Sequence, residues 1–220
     1  MPYCGYKVWR RLICVIIFAS AMGFLEAICV IYLRQLIIPS GSDVSQLVSS
    51  VRRFPVEHIR EICTMVMLAT VAWLSAFNWR TRIAMFLLTL GIWDITYYAG
   101  LKLLADWPNS WLEWDCLFLI PQRWYGPVLA PVLISAYFAG ACCLLIICEP
   151  TKQKMHLSVS VVVLQIIALV IWYWSFVKDS SRISSHGYDG ISYSWPLFFC
   201  GLFCAALGLF LAVRKRRIPL

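Results

Sequence analysis

Charge is scarce in this chain and histidine scarcer: Asp, Glu, Lys and Arg make up 14% of the residues, and three histidines occur in 220. The sequence holds no C-x-x-C pair, no phosphate-cradling glycine loop and no H-E-x-x-H helix, so no recognisable metal, nucleotide or nucleophile motif announces an activity. His58, His156 and His186 all fall outside the long apolar runs. A haem held by histidines inside a helix bundle is therefore not expected, and no cofactor or metal is implied. The basic residues form the rim expected to face lipid headgroups and not a patch built with aromatics as a nucleic-acid surface needs, which argues against nucleic-acid binding despite the net charge of +8.

Apolar residues fill the space that charge leaves. They reach 61% of the chain, with a mean hydropathy of +0.77, far above an ordinary soluble domain. A membrane-spanning helix needs about 20 mostly apolar residues. Six stretches answer that description: 12–33, 60–77, 83–104, 127–148, 157–177 and 195–213. The expected fold is an all-α polytopic transmembrane bundle forming a single integral membrane domain over 1–220. Ala19-Ser20-Ala21 behind a basic start has the look of a signal-peptide cleavage site. The apolar run continues to Leu33, so the first stretch reads as an uncleaved span.

Lys and Arg set the orientation. With the N-terminus in the cytoplasm, Lys7, Arg10, Arg11, Arg80, Arg82, Lys152, Lys154 and the tail from Arg214 to Arg217 share the inner side with a single acid, Glu149. Both termini are expected inside, facing anionic lipid headgroups. Trp107, Trp111, Trp114, Trp124, Trp172, Trp174 and Trp195 gather near the outer boundary, where an indole keeps its ring in hydrocarbon and its N–H among headgroups. Between the first two spans, Val44, Leu47, Val48 and Val51 follow helical spacing behind Ser42, as in a short amphipathic helix lying on the outer surface.

Carboxylates inside spans are costly, on the order of 2.5 to 3.5 kcal/mol at the bilayer centre, and as a rule face the bundle interior. Glu26 lies about 10 Å, and Asp94 about 15 Å, below the outer ends of their helices at 1.5 Å per residue. Tyr97 and Tyr98 share a side with Asp94. Asp94 follows Trp93 in "GIWDITYY", and a second Trp-Asp pair, Trp114-Asp115, follows in "LEWDCLFLIP". That second stretch is too short to span and is bounded by prolines. It reads as a re-entrant or interfacial segment, with Glu113 and Asp115 entering an outer vestibule near Arg123 and Trp124. Arg34, Arg60 and Arg123 are the candidate counter-ions. In "EHIRE", Glu57 suits the first turn of a helix opened by Pro55, while His58 and Glu61 share a face without the second motif that a di-iron site needs. The ten cysteines mostly sit in spans and read as small hydrophobes, with Cys116 the one candidate for an outer disulfide. "KDSSRISSHGYDGISYS" reads as a flexible outer loop.

Together, "FLEAICVIYLR", "REICTMVMLATVAWL", "GIWDITYY" and "WPNSWLEWDCLFLIPQRWYGPVLAPV" resemble an uncharacterised family of bacterial polytopic membrane proteins. The resemblance implies a bacterial inner membrane and imports no activity. Three functions compete. The first is an outward-facing pocket binding or transporting a small or lipid-like ligand through Glu26, Arg34, Glu61, Asp94, Tyr97, Tyr98, Asp115, Arg123 and Trp124. The second is a membrane enzyme with Glu26 or Asp94 as acid or base. The third is an accessory subunit whose partner is a larger membrane-protein complex and whose acids are structural. Transport is the weaker form of the first, because neither inverted repeats nor paired interrupted helices are visible.

Overall fold

A computed structural model describes residues 2–37, 55–148 and 158–214. Its elements, in chain order, are α1 (Pro2–Ile37), α2 (Pro55–Ser75), α3 (Trp79–Ala105), β1 (Trp114–Phe118), β2 (Trp124–Pro127), α4 (Leu129–Cys148), α5 (Val159–Val177), α6 (Ser180–His186) and α7 (Trp195–Arg214). Five helices are long and apolar enough to cross a membrane: α1, α3, α4, α5 with its continuation through α6, and α7. By length and composition this is a multi-pass membrane protein. Helix α2, expected as the span 60–77, is not among the five; its opening turns carry Glu57, Arg60 and Glu61, which lower its hydropathy. The proposed surface helix around Val44 to Val51 lies outside the described residues, as do His156 and the basic tail beyond Arg214.

Helix α3 is the spine of the first half, packing against α1, α2 and α4. Its start is fixed by Asn78, whose side-chain oxygen accepts from the Thr81 N–H at 3.0 Å, satisfying a donor that the helix leaves orphaned. It stops at Asp106, which takes a left-handed conformation with φ 51° and returns its N–H to the Leu101 carbonyl. Small residues let its neighbours approach closely, as is usual where membrane helices associate through packing. A side chain at Gly23 of α1 would collide with the Thr96 hydroxyl and the Trp93 carbonyl. One at Gly91 would meet the Ser135 carbonyl of α4 at 2.5 Å.

The second half is the α5–α7 pair. Trp172, Phe176, Tyr193 and Phe198 form its aromatic core around Ala168 and Ala205. The Trp172 indole donates to the Phe198 carbonyl at 3.2 Å.

The segment between α3 and α4 departs from the all-helical expectation. It is an antiparallel hairpin pairing Trp114 with Pro127, Asp115 with Gly126 and Cys116 with Tyr125, with an irregularity between Cys116 and Phe118. Pairing satisfies backbone groups that a re-entrant loop would leave open. Further closure comes from the Val128 N–H to the Glu113 carbonyl at 3.0 Å and the Leu129 N–H to the Trp111 carbonyl at 2.9 Å. Because Pro127 closes β2, α4 begins at Leu129 and not at the expected residue 127. Part of the expected loop after α5 is the helix α6, whose Ile183 packs with Tyr125 of the hairpin.

Candidate functional site

Under the hairpin, α1, α2, α3 and β1 enclose a cavity of about 100 Å³, room for several waters or one small polar head. Five carboxylates line it, Glu26, Glu57, Glu61, Asp94 and Asp115, against two guanidiniums, Arg34 and Arg60. Trp93, Tyr97, Tyr98 and Phe118 supply aromatic walls. Both Trp-Asp pairs thus deliver an acid to the same space, one from the middle of a helix and one from a strand.

The acids divide by how they are compensated. Glu26 is buried and forms an ion pair with Arg60, and it accepts from the Thr64 hydroxyl at 3.2 Å. The same guanidinium reaches Glu57 at 2.9 Å through Nε. Glu57, Arg60, Glu61 and Thr64 therefore work as one helical face, at the spacing that brings side chains together on α2. Asp115 lies 3.7 Å from Arg34 and accepts from the Tyr98 hydroxyl at 3.0 Å and from the Cys116 N–H at 2.9 Å. Arg34 is itself held over the Trp107 ring, 4.2 Å from the centroid.

Two acids have neutral partners instead. Asp94 accepts from the Ser135 hydroxyl of α4 at 2.8 Å. Glu61 takes the Leu119 N–H on both oxygens, each at 3.1 Å. Among the described residues, neither lies within 4.0 Å of a cationic group. The structural reading of both intramembrane acids as arginine partners accordingly holds for Glu26 and fails for Asp94.

Burial pushes the Asp115 carboxyl above its ordinary range in spite of the nearby Arg34. Burial also raises Glu57, and the negative charge of Glu61 adds to the effect. On the cavity wall, the buried indole N–H of Trp93 has no acceptor among the described residues. The Trp93 ring is stacked on Tyr97 at 6.1 Å and tilted against Phe118 at 6.2 Å.

Two expected members of the site lie elsewhere. Trp124 is absent from the cavity lining and packs against Tyr173 and Phe176 of α5. Arg123 reaches outward to the hydroxyls of Tyr125 and Ser184 at 3.5 Å each. Glu113 does not enter the cavity either; its oxygens accept from the Trp107 indole and the Asn109 N–H at 2.7 Å each, holding the turn before β1. Thr64 and Ser135 were missed. A signal existed for each: Thr64 extends the Glu57–Glu61 face by one turn, and Ser135 is the one serine or threonine in an apolar helix. Every cysteine whose side chain is described is a free thiol, Cys116 included, and no metal-holding cluster of His, Cys, Asp or Glu occurs among the described residues.

Comparison with known proteins adds no identity: no family model, no curated protein and no solved structure matches this chain.

Proposed function

We propose that this is an integral protein of a bacterial inner membrane, with both termini in the cytoplasm and an outward-facing cavity that binds a small ligand, or the head of a lipid-like one, bearing an ammonium and hydroxyl groups. One observation carries the reading: five carboxylates surround a cavity that holds two guanidiniums, and among the described residues Asp94 and Glu61 have no cationic group within 4.0 Å. An uncompensated carboxylate in a partly buried site is costly unless a cation or a proton joins it. An incoming ammonium supplies that charge, and the faces of Trp93, Tyr97 and Phe118 attract it further. The Trp93 N–H, without an acceptor among the described residues, offers a donor to a ligand hydroxyl or carbonyl oxygen; a buried donor left unmade costs about 1 to 3 kcal/mol. The small volume favours a head group over a whole lipid.

The test is calorimetric titration of the full chain in lipid nanodiscs with ethanolamine and with tetramethylammonium. Asp94→Asn and Glu61→Gln should each weaken binding tenfold or more while the thermal unfolding midpoint in detergent stays put, since both amides retain an oxygen for the Ser135 and Leu119 donors. Wild-type protein that takes up neither probe would overturn the reading. Misassembly of both variants, together with a stoichiometric membrane-protein partner in native purification, would replace it with the accessory-subunit role.

A further inference from the structure

Leu119 of the acidic cavity also borders a second, open pocket of about 430 Å³, lined further by His58, Pro121, Gln122, Arg123, Ser180 and Ser184. Its chemistry is the reverse of the first. No carboxylate lines it, and among the described residues none approaches the Arg123 guanidinium within 4.0 Å. Among the described residues, the hydrogen-bond partners of Arg123 are the Tyr125 and Ser184 hydroxyls, at the 3.5 Å limit of a hydrogen bond, and those two hydroxyls lie 3.3 Å from each other. Arg123 is half-buried, so its charge is only partly hydrated. A guanidinium in that position presents a planar fork of donors, the geometry that matches two oxygens of one phosphate. The Ser180 and Ser184 hydroxyls and the His58 imidazole surround the same opening and supply further donors.

We propose that Arg123, with Ser184 and His58, forms an anion site for a phosphate group. The site rests on the hairpin tip and α6, and it is separate from the ammonium cavity. Its phosphate comes from one of two sources, free phosphate or the headgroup of an anionic lipid at the membrane surface.

The experiment uses the full chain in nanodiscs of two compositions, one purely phosphatidylcholine and one containing phosphatidylglycerol. Inorganic phosphate is titrated by calorimetry into the first, and retained lipid is measured by native mass spectrometry on protein extracted from the second. Phosphate binding in the first arm assigns the free anion; selective retention of phosphatidylglycerol in the second assigns the lipid headgroup. Arg123→Gln should weaken whichever signal appears tenfold or more, Arg123→Lys should keep part of it, and ethanolamine binding at the cavity should be unchanged in both. If Arg123→Gln fails to fold, Ser184→Ala reads the same site, with an expected loss of threefold or more. Wild-type protein that binds neither probe, or an Arg123→Gln signal equal to wild type, overturns the proposal.

Discussion

The two halves of this protein solve the problem of living in a membrane differently. Around α3, the first half carries buried charge at the hairpin end: Glu26 and Glu57 pair with Arg60, and Asp115 lies beside Arg34 and accepts from the Tyr98 hydroxyl. Around α5 and α7, the second half packs aromatics and uses neutral polar groups. Tyr137 donates toward the Gln165 side chain at 2.8 Å and the Ala205 carbonyl at 2.9 Å, and the Gln165 amide reaches the same carbonyl at 3.0 Å. Removing one neutral hydrogen bond between membrane helices costs little, because the separated helices find other partners. Removing one member of a buried ion pair costs much more, because the remaining charge has nowhere to go. Fragility should therefore be concentrated in the half that holds the cavity.

The sharpest break of that comparison is Arg60→Ala, which deprives both Glu26 and Glu57 of their cation. A loss of about 3 to 5 kcal/mol is expected, read as a fall in the detergent unfolding midpoint or as failure to assemble. Glu26→Gln in the same background should recover part of it, and no recovery would show that the ion pair is not the source. A smaller effect should follow from pH. Asp115 and Glu57 are held above the ordinary carboxylate range, so on acidification they take up protons before a free carboxyl does. The cavity thereby loses negative charge, and ethanolamine binding should weaken as pH falls through the region just above the usual carboxylate titration. Affinity that is flat across that region would detach the acids from the ligand. The smallest effect belongs to the second half: Tyr137→Phe should cost about 1 kcal/mol, and a loss as large as that of Arg60→Ala would erase the contrast between the halves.

Much of this arrangement was legible in the sequence where one helix carries the information. The 100° advance per residue places Tyr97 and Tyr98 with Asp94, and Glu57, Arg60 and Glu61 on a common face; all of them line the cavity. Contacts between helices were not legible. Nothing local distinguishes Arg60 from Arg34 as the partner of Glu26, because apolar helices of similar length can be ordered in many ways. The hairpin was hidden for a related reason. Cys116 to Ile120 is an unbroken run of apolar residues, without the alternation that marks a strand with one buried and one solvated face, and all five are half-buried, so neither face stands out. Arg123 and Trp124 were drawn into the site by their nearness to Asp115 in the chain. Strand geometry carries them away from it: Trp124 pairs with Phe118 and turns to α5, while Arg123 leaves the strand toward α6.

Leu119 borders both pockets, and its N–H is clasped by the two oxygens of Glu61. That residue is common to the cavity proposed for an ammonium and the opening proposed for a phosphate. Shifting it to enlarge one chamber reshapes the other and strains the clasp. Any influence that occupancy on one side exerts through this residue must be returned in equal measure from the other, since linkage between two binding equilibria is symmetric.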